Sequence, residues 1–143
     1  MGMTIIEKIL ARASGAAKIG PGDLAVVDVD LCVLIDLSFS PSSWREVLKL
    51  HDPEKVVVVF DHDVPASSRD TAAMHVRGRE FVRHFGIRRF HDVGPDQGIS
   101  HVVVAENAYC LPGTVMACSD SHTCSAGALA RRAGSAPSTC FTR

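Results

Sequence analysis

The 143-residue chain is long enough for one domain with a sizeable buried core. Its 46% hydrophobic and 22% charged residues are the balance of a soluble globular protein. A formal net charge of −1 gives no electrostatic case for nucleic acid or an anionic membrane surface, and no apolar run approaches the roughly 20 residues that span a bilayer. The opening residues lack the apolar core of a signal peptide, so a cytoplasmic location is expected. The five cysteines (Cys32, Cys110, Cys118, Cys124, Cys140) are odd in number and lack paired spacing, and are expected to remain thiols. Cys118, His122 and Cys124 match no common zinc spacing.

In chain order, residues 4–13 place Ile5, Ile6, Ile9, Leu10 and Ala13 at helical spacing, with Gly15 as the stop. Leu24 to Leu37 reads as strand, Ser38 to Ser43 as a polar loop around Pro41, and Trp44 to Leu50 as a short amphipathic piece with Trp44, Val47 and Leu48 on one side. Lys55 to Phe60 is a β-branched run, as in a parallel strand covered on both faces. Ser67 or Ser68 can cap a helix reaching Phe85, with Met74, Phe81, Val82 and Phe85 near one face and Gly86 at its end. Ile87 to Val93 is the next strand, Ser100 to Asn107 the next helix, and Val115 to Cys118 a further strand after the turn Leu111-Pro112-Gly113. This alternation is the order of an α/β layered domain.

Polar groups cluster where strands are expected to end. Asp61-His62 and Asp120-Ser121-His122 each follow an apolar run, and His101 opens a helix. In open parallel sheets, ligands collect beyond the carboxyl ends of the strands, so these groups can converge. A helix beginning after Thr123 would favour a bound anion, and the pocket is expected to suit an acidic substrate. Asp-His pairs also serve as capped turns, and His51, His75, His84 and His91 read as surface or helix-face residues without a role.

The segments MGMTIIEKILARASG, KIGPGDLAVVDVDL, VVVVFDHDVP, GISHVVVAEN and LPGTVMACSDSHTC occur in the order seen in the amino-terminal part of the aconitase superfamily. Over residues 1–129 the chain resembles that family, most closely its 3-isopropylmalate dehydratase large-subunit and homoaconitase branches. The resemblance implies a partial three-layer α/β/α domain with a mostly parallel sheet, and a hydro-lyase of the leucine- or lysine-biosynthetic type. The substrate would be a hydroxy di- or tricarboxylate. Family members hold a [4Fe–4S] cluster whose open iron acts as Lewis acid. By the same resemblance Asp61 and His62 protonate the leaving hydroxyl, His101 lies beside the iron-bound water, Asp120 and His122 are its companions, and Ser121 donates a hydrogen bond to substrate.

Departures accompany the matches. The family's cluster cysteines lie in later segments, and none of the five cysteines here corresponds to them. The family's catalytic base is a serine in a further domain or a small swivelling-domain subunit. Ile35-Asp36-Leu37-Ser38-Phe39-Ser40-Pro41 departs from the usual substrate-contacting loop, and no residue is carried over from it. Residues 130–143 lack periodicity and read as an irregular, non-family tail, as a frameshift or premature stop would leave. Two alternatives stand beside the hydro-lyase reading. The chain can be an inactive remnant or a subunit-binding module, its truncated core exposed for association. Asp28 and Asp30 in VDVDL can also be read as nucleophile and acid/base of a Mg²⁺-dependent phosphatase, although a Leu follows where that motif has Thr.

Overall fold

The computed structural model describes residues 2–129 and 132–135. The first helix, α1 (Ile5–Ser14), opens with a reciprocal Thr4–Glu7 capping box and closes at Gly15 in the left-handed region, φ 70°. Among the described residues five strands follow: β1 (Leu31–Ile35), β2 (Val56–Val59), β3 (Arg89–His91), β4 (Val115–Cys118) and β5 (Arg132–Ser135). They form one sheet in the order β3-β2-β1-β4-β5 with every neighbouring pair parallel. Helix α2 (Arg69–Phe85) joins β2 to β3, and α3 (Ser100–Glu106) lies between β3 and β4.

Strand alternation divides the core into two layers. Leu31, Val33, Ile35, Val57, Val59, Met116 and Cys118 pack with Val103 and Val104 of α3. Leu34, Val56, Val58 and Phe60 turn the other way, against Met74 and Phe81 of α2 and Phe39. The result is helix on sheet on helix, the three-layer α/β/α arrangement expected. Within the described residues, no helix is long and apolar enough to cross a membrane.

The chain winds from β1 outward to β3, then returns across the sheet to place β4 on the other side of β1. The order therefore reverses between β1 and β4, with α2 and α3 on opposite faces. A crevice opens at such a point, at the carboxyl edge.

Several expectations are corrected. Only Leu31–Ile35 of the expected Leu24–Leu37 strand joins the sheet; Leu24 and Val26 are 99% and 89% exposed, with no neighbouring strand among the described residues to pair with. Trp44 to Leu50 forms no regular element. Trp44, Val47 and Leu50 pack on the core while Leu48 points outward, so contacts of separate side chains replace a helical face. The strand expected over Ile87–Val93 is confined to Arg89–His91. His75 and His91 are buried, not superficial. His91 is held through both ring nitrogens, 2.9 Å from the Asp96 carbonyl and 3.0 Å from the Tyr109 hydroxyl.

The segment 130–143 is not wholly irregular. Arg132–Ser135 pairs with β4 as an edge strand, for which backbone pairing suffices without an apolar alternation; its other residues lie outside the described residues.

Close packing at the α2 face sets a test. A Cβ at Gly78 would lie 2.6 Å from Cζ of Phe60 and 3.0 Å from Cδ2 of Phe39. Overpacking of this kind outweighs the gain in helix propensity, so Gly78→Ala should destabilise the fold by about 1–2 kcal/mol. Denaturant unfolding checks this; a raised midpoint, as at an open helical glycine, would contradict the packing.

Candidate functional site

Three strand ends supply the site. Where β1 ends, Asp36 begins a 3-10 turn (Asp36–Phe39) and has no solvent exposure. Beyond β2 come Phe60, Asp61 and His62; beyond β4, Ser119 and Asp120. Because the sheet is parallel, all of these lie on one edge. A Ser38–Ser119 hydroxyl contact of 3.2 Å ties the β1 and β4 loops across the switch point.

Asp61 is fixed at both oxygens. Oδ2 accepts the Ser100 amide at the start of α3 (2.7 Å), and Oδ1 lies 2.8 Å from Nδ1 of His62. His62 also faces Oδ1 of Asp36 at 3.2 Å through Nδ1 and Oδ2 of Asp120 at 3.5 Å through Nε2. Partial burial alone would lower the pKa of this largely exposed imidazole, but the Asp61 hydrogen bond and the charges of Asp61, Asp36 and Asp120 outweigh it and raise the pKa above its ordinary value.

The remaining candidates stand beside this group. Oδ1 of Asp120 accepts the His122 amide at 2.7 Å and its carbonyl accepts the Thr123 hydroxyl, which fixes the Ser119–Thr123 turn. The His101 and His122 rings lie 5.9 Å apart at 29°. The Ser121 hydroxyl is 3.1 Å from Nδ1 of His122. Nδ1 of His101 is buried without a partner among the described residues, which costs on the order of 1–3 kcal/mol unless another group engages it. His101 and Asp120 line a shallow, open recess with Ser100, Thr123, Met116 and Cys118, so the described residues form a wall and not an enclosure.

All of the candidate positions, Asp61, His62, His101, Asp120, Ser121 and His122, therefore come to one edge. Asp36 is the residue the sequence reading missed. Its signal was available, since it is a third aspartate at the end of an apolar run, directly after it like Asp61 and one residue nearer than Asp120.

Other expectations fare differently. The turn after Asp120 leads into a 3-10 helix (Thr123–Leu129), and the Thr123 amide is engaged by the Asp120 carbonyl at 3.3 Å. The charges around His62 are carboxylates, so this wall alone is not built for an anion. Asp28 and Asp30 precede β1 at the opposite edge, where Oδ2 of Asp30 accepts the Val115 amide at 2.8 Å. The phosphatase arrangement, with acids beyond a strand's carboxyl end, is absent there.

The [4Fe–4S] cluster implied by the resemblance requires three gathered thiolates. Among the described residues the close gathering of candidate donor atoms consists of Asp36, Asp61 and His62, within 4.8 Å of one another, with Nδ1 of His62 hydrogen-bonded to Asp61 and facing Asp36. It contains no sulfur. Cys110 and Cys118 are buried, Cys32 is partly buried, and Cys124 is exposed. Burial pushes the Cys118 thiol up, favouring its neutral form. These residues do not fit such a cluster, and Cys118, His122 and Cys124 do not gather as a metal site either.

Fold and site together define a class: a parallel α/β domain with an aspartate–histidine cluster at its topological switch point. Comparison with known proteins narrows it. The model of the aconitase family (aconitate hydratase) matches residues 40–134, and the chain belongs to that family. It is 50% identical over 128 residues to the 3-isopropylmalate dehydratase large subunit of Mycolicibacterium smegmatis, covering 90% of this chain and 30% of that protein. Its likeness to the probable 3-isopropylmalate dehydratase large subunit of Methanothermobacter thermautotrophicus is 44% over 133 residues, 90% of this chain and 31% of that one. With the methanogen homoaconitase large subunit of Methanocaldococcus jannaschii it shares 41% over 130 residues, 88% and 30% of the two chains. The chain spans about 30% of the length of these relatives.

The His62 pairing links stability to pH. With the folded pKa raised above the ordinary imidazole value of 6.5, its stabilising contribution is fully present below that value and is lost as pH rises through the folded pKa. The denaturation midpoint should accordingly decline as pH rises from about 6.5, and His62→Asn should remove that component of the slope. An unchanged slope in the variant would contradict the pairing.

Proposed function

We propose that this chain supplies the proton-handling wall of a hydro-lyase centre acting on a hydroxy di- or tricarboxylate, of the 3-isopropylmalate or homoaconitate type. The observation that carries the reading is the His62 imidazole held among Asp61, Asp36 and Asp120 beside His101 and His122. Hydroxide is a poor leaving group and departs readily only as water. His62, kept protonated by its carboxylates, gives its proton to the hydroxyl oxygen as the C–O bond breaks. Asp61 fixes the ring's orientation and stabilises the imidazolium. In the hydration direction His62 takes the proton back from water.

The wall is incomplete by its own chemistry. Its carboxylates would repel a di-anion, so cationic groups that hold the substrate are assigned to polypeptide outside the described residues. The base that removes the C–H proton, the cluster and a small swivelling-domain subunit are assigned there too. A second reading, a subunit-binding module without catalysis, draws on the exposed Leu24, Val26 and Leu48.

Complementation tests the proposal. The chain is mixed with the remaining portion of the Mycolicibacterium relative's large subunit and the matching small subunit, and formation of the unsaturated di-acid is followed by ultraviolet absorbance. Hydro-lyase activity should appear and fall about 10²- to 10⁴-fold with His62→Asn. Association without activity would favour the binding-module reading, and activity indifferent to His62→Asn would remove the acid role.

A further inference from the structure

One buried titratable residue is left unused by that chemistry. His75, on the inner face of α2, is 2% exposed, and its Nε2 has no hydrogen-bond partner among the described residues. Its ring stacks on Phe60, centroids 4.5 Å apart at 15°, which fixes its plane against the residue preceding Asp61. In that pose Nε2 lies 3.9 Å from Oδ2 of Asp36. The gap is too long for a hydrogen bond, yet short for charge interaction where water is excluded.

Asp36 connects the two histidines. Its Oδ2 accepts the Asp63 amide at 3.1 Å, while Oδ1 accepts the His62 amide at 3.4 Å and faces the His62 ring at 3.2 Å. His75 thus stands behind the carboxylate and His62 in front of it. Catalytic contacts in unliganded proteins are often long and tighten when the site is assembled.

We propose that His75 is a positioning residue: clamped against Phe60, it engages Asp36 from behind and through that carboxylate sets the orientation and proton affinity of His62. The proposal rests on, and deepens, the reading of His62 as proton donor. Its sign follows from electrostatics. Whether neutral with Nε2–H toward Asp36 or fully protonated, His75 draws the carboxylate's negative charge toward α2 and away from His62. The other charges in reach of His75 are Asp63 and Asp92, the latter paired with Arg79 of α2 at 2.5 and 2.8 Å. Those facing His62 are Asp61, Asp36 and Asp120. Removing His75 therefore leaves His62 opposite a more concentrated negative charge.

The test is imidazole NMR of the full chain without substrate. His75→Phe keeps the ring stack but has no donor, and should raise the His62 pKa by on the order of half a unit. His75→Gln, which can still donate, should return it toward the parent value. A His62 titration unmoved or lowered in a folded His75→Phe chain overturns the proposal. Should that variant fail to fold, the unmodified chain decides: long-range ¹H–¹⁵N correlation is expected to show Nε2 of His75 protonated, and an unprotonated Nε2 overturns the proposal. A raised His62 pKa alongside activity indifferent to His62→Asn would remove the catalytic assignment and leave the positioning coupling. An unmoved titration alongside His62-dependent activity would remove the positioning role alone.

Discussion

Asp36 carries a carboxylate into a place with no exposure to water. Stripping such a group of its hydration costs several kcal/mol, a cost repaid only by good geometry and satisfied lone pairs. Here the compensation comes from the loop after β2, through the His62 and Asp63 amides and the His62 ring. The dependence runs both ways. The loop has its shape because two successive amides converge on one carboxylate, and the carboxylate stays buried because the loop covers it. Nearby, the Ser67 and Thr71 hydroxyls bond Asp63 at 2.9 and 2.6 Å, fastening the far side of the loop to the start of α2 and holding the Asp63 carboxyl below its usual range.

The parallel sheet converts this local arrangement into a site. Each strand delivers its last residue to one edge, and the reversal of strand order between β1 and β4 opens that edge between α2 and α3. Asp61 bridges to α3, Asp120 to the turn after β4, and Asp36 to the loop after β2. Three aspartates with separate structural anchors surround one imidazole, so its charge is set by the fold and not by one flexible partner. The same arrangement explains why the wall is one-sided: the charges facing the His62 imidazole are all carboxylates. That fits a chain spanning about 30% of the length of its relatives.

Much of this was legible in the sequence, for definable reasons. The β2–α2 unit shows plainly because an uninterrupted valine run, a serine cap and a terminal glycine all signal the same boundaries. Asp61-His62 and Asp120-Ser121-His122 were visible because an apolar run stops at polar residues. Other features lacked a one-dimensional signal. Leu24 and Val26 carry strand-like residues but find no pairing partner among the described residues. Arg132–Ser135 carries no apolar pattern yet pairs through its backbone with β4. His75 looks like any helix-face histidine until the Phe60 stack is known. Asp36 was passed over because it sits in the loop that departs from the family pattern, although its position after β1 repeats the logic of the other two strand ends.

Amide hydrogen exchange in Asp36→Asn tests the central dependence most directly. The asparagine keeps the volume but replaces one acceptor oxygen by a donor, so it cannot accept both amides. The account predicts that the His62 or Asp63 amide loses protection while Val57, Val58 and Val59 of β2 retain theirs. Full protection of both loop amides in that variant would contradict it.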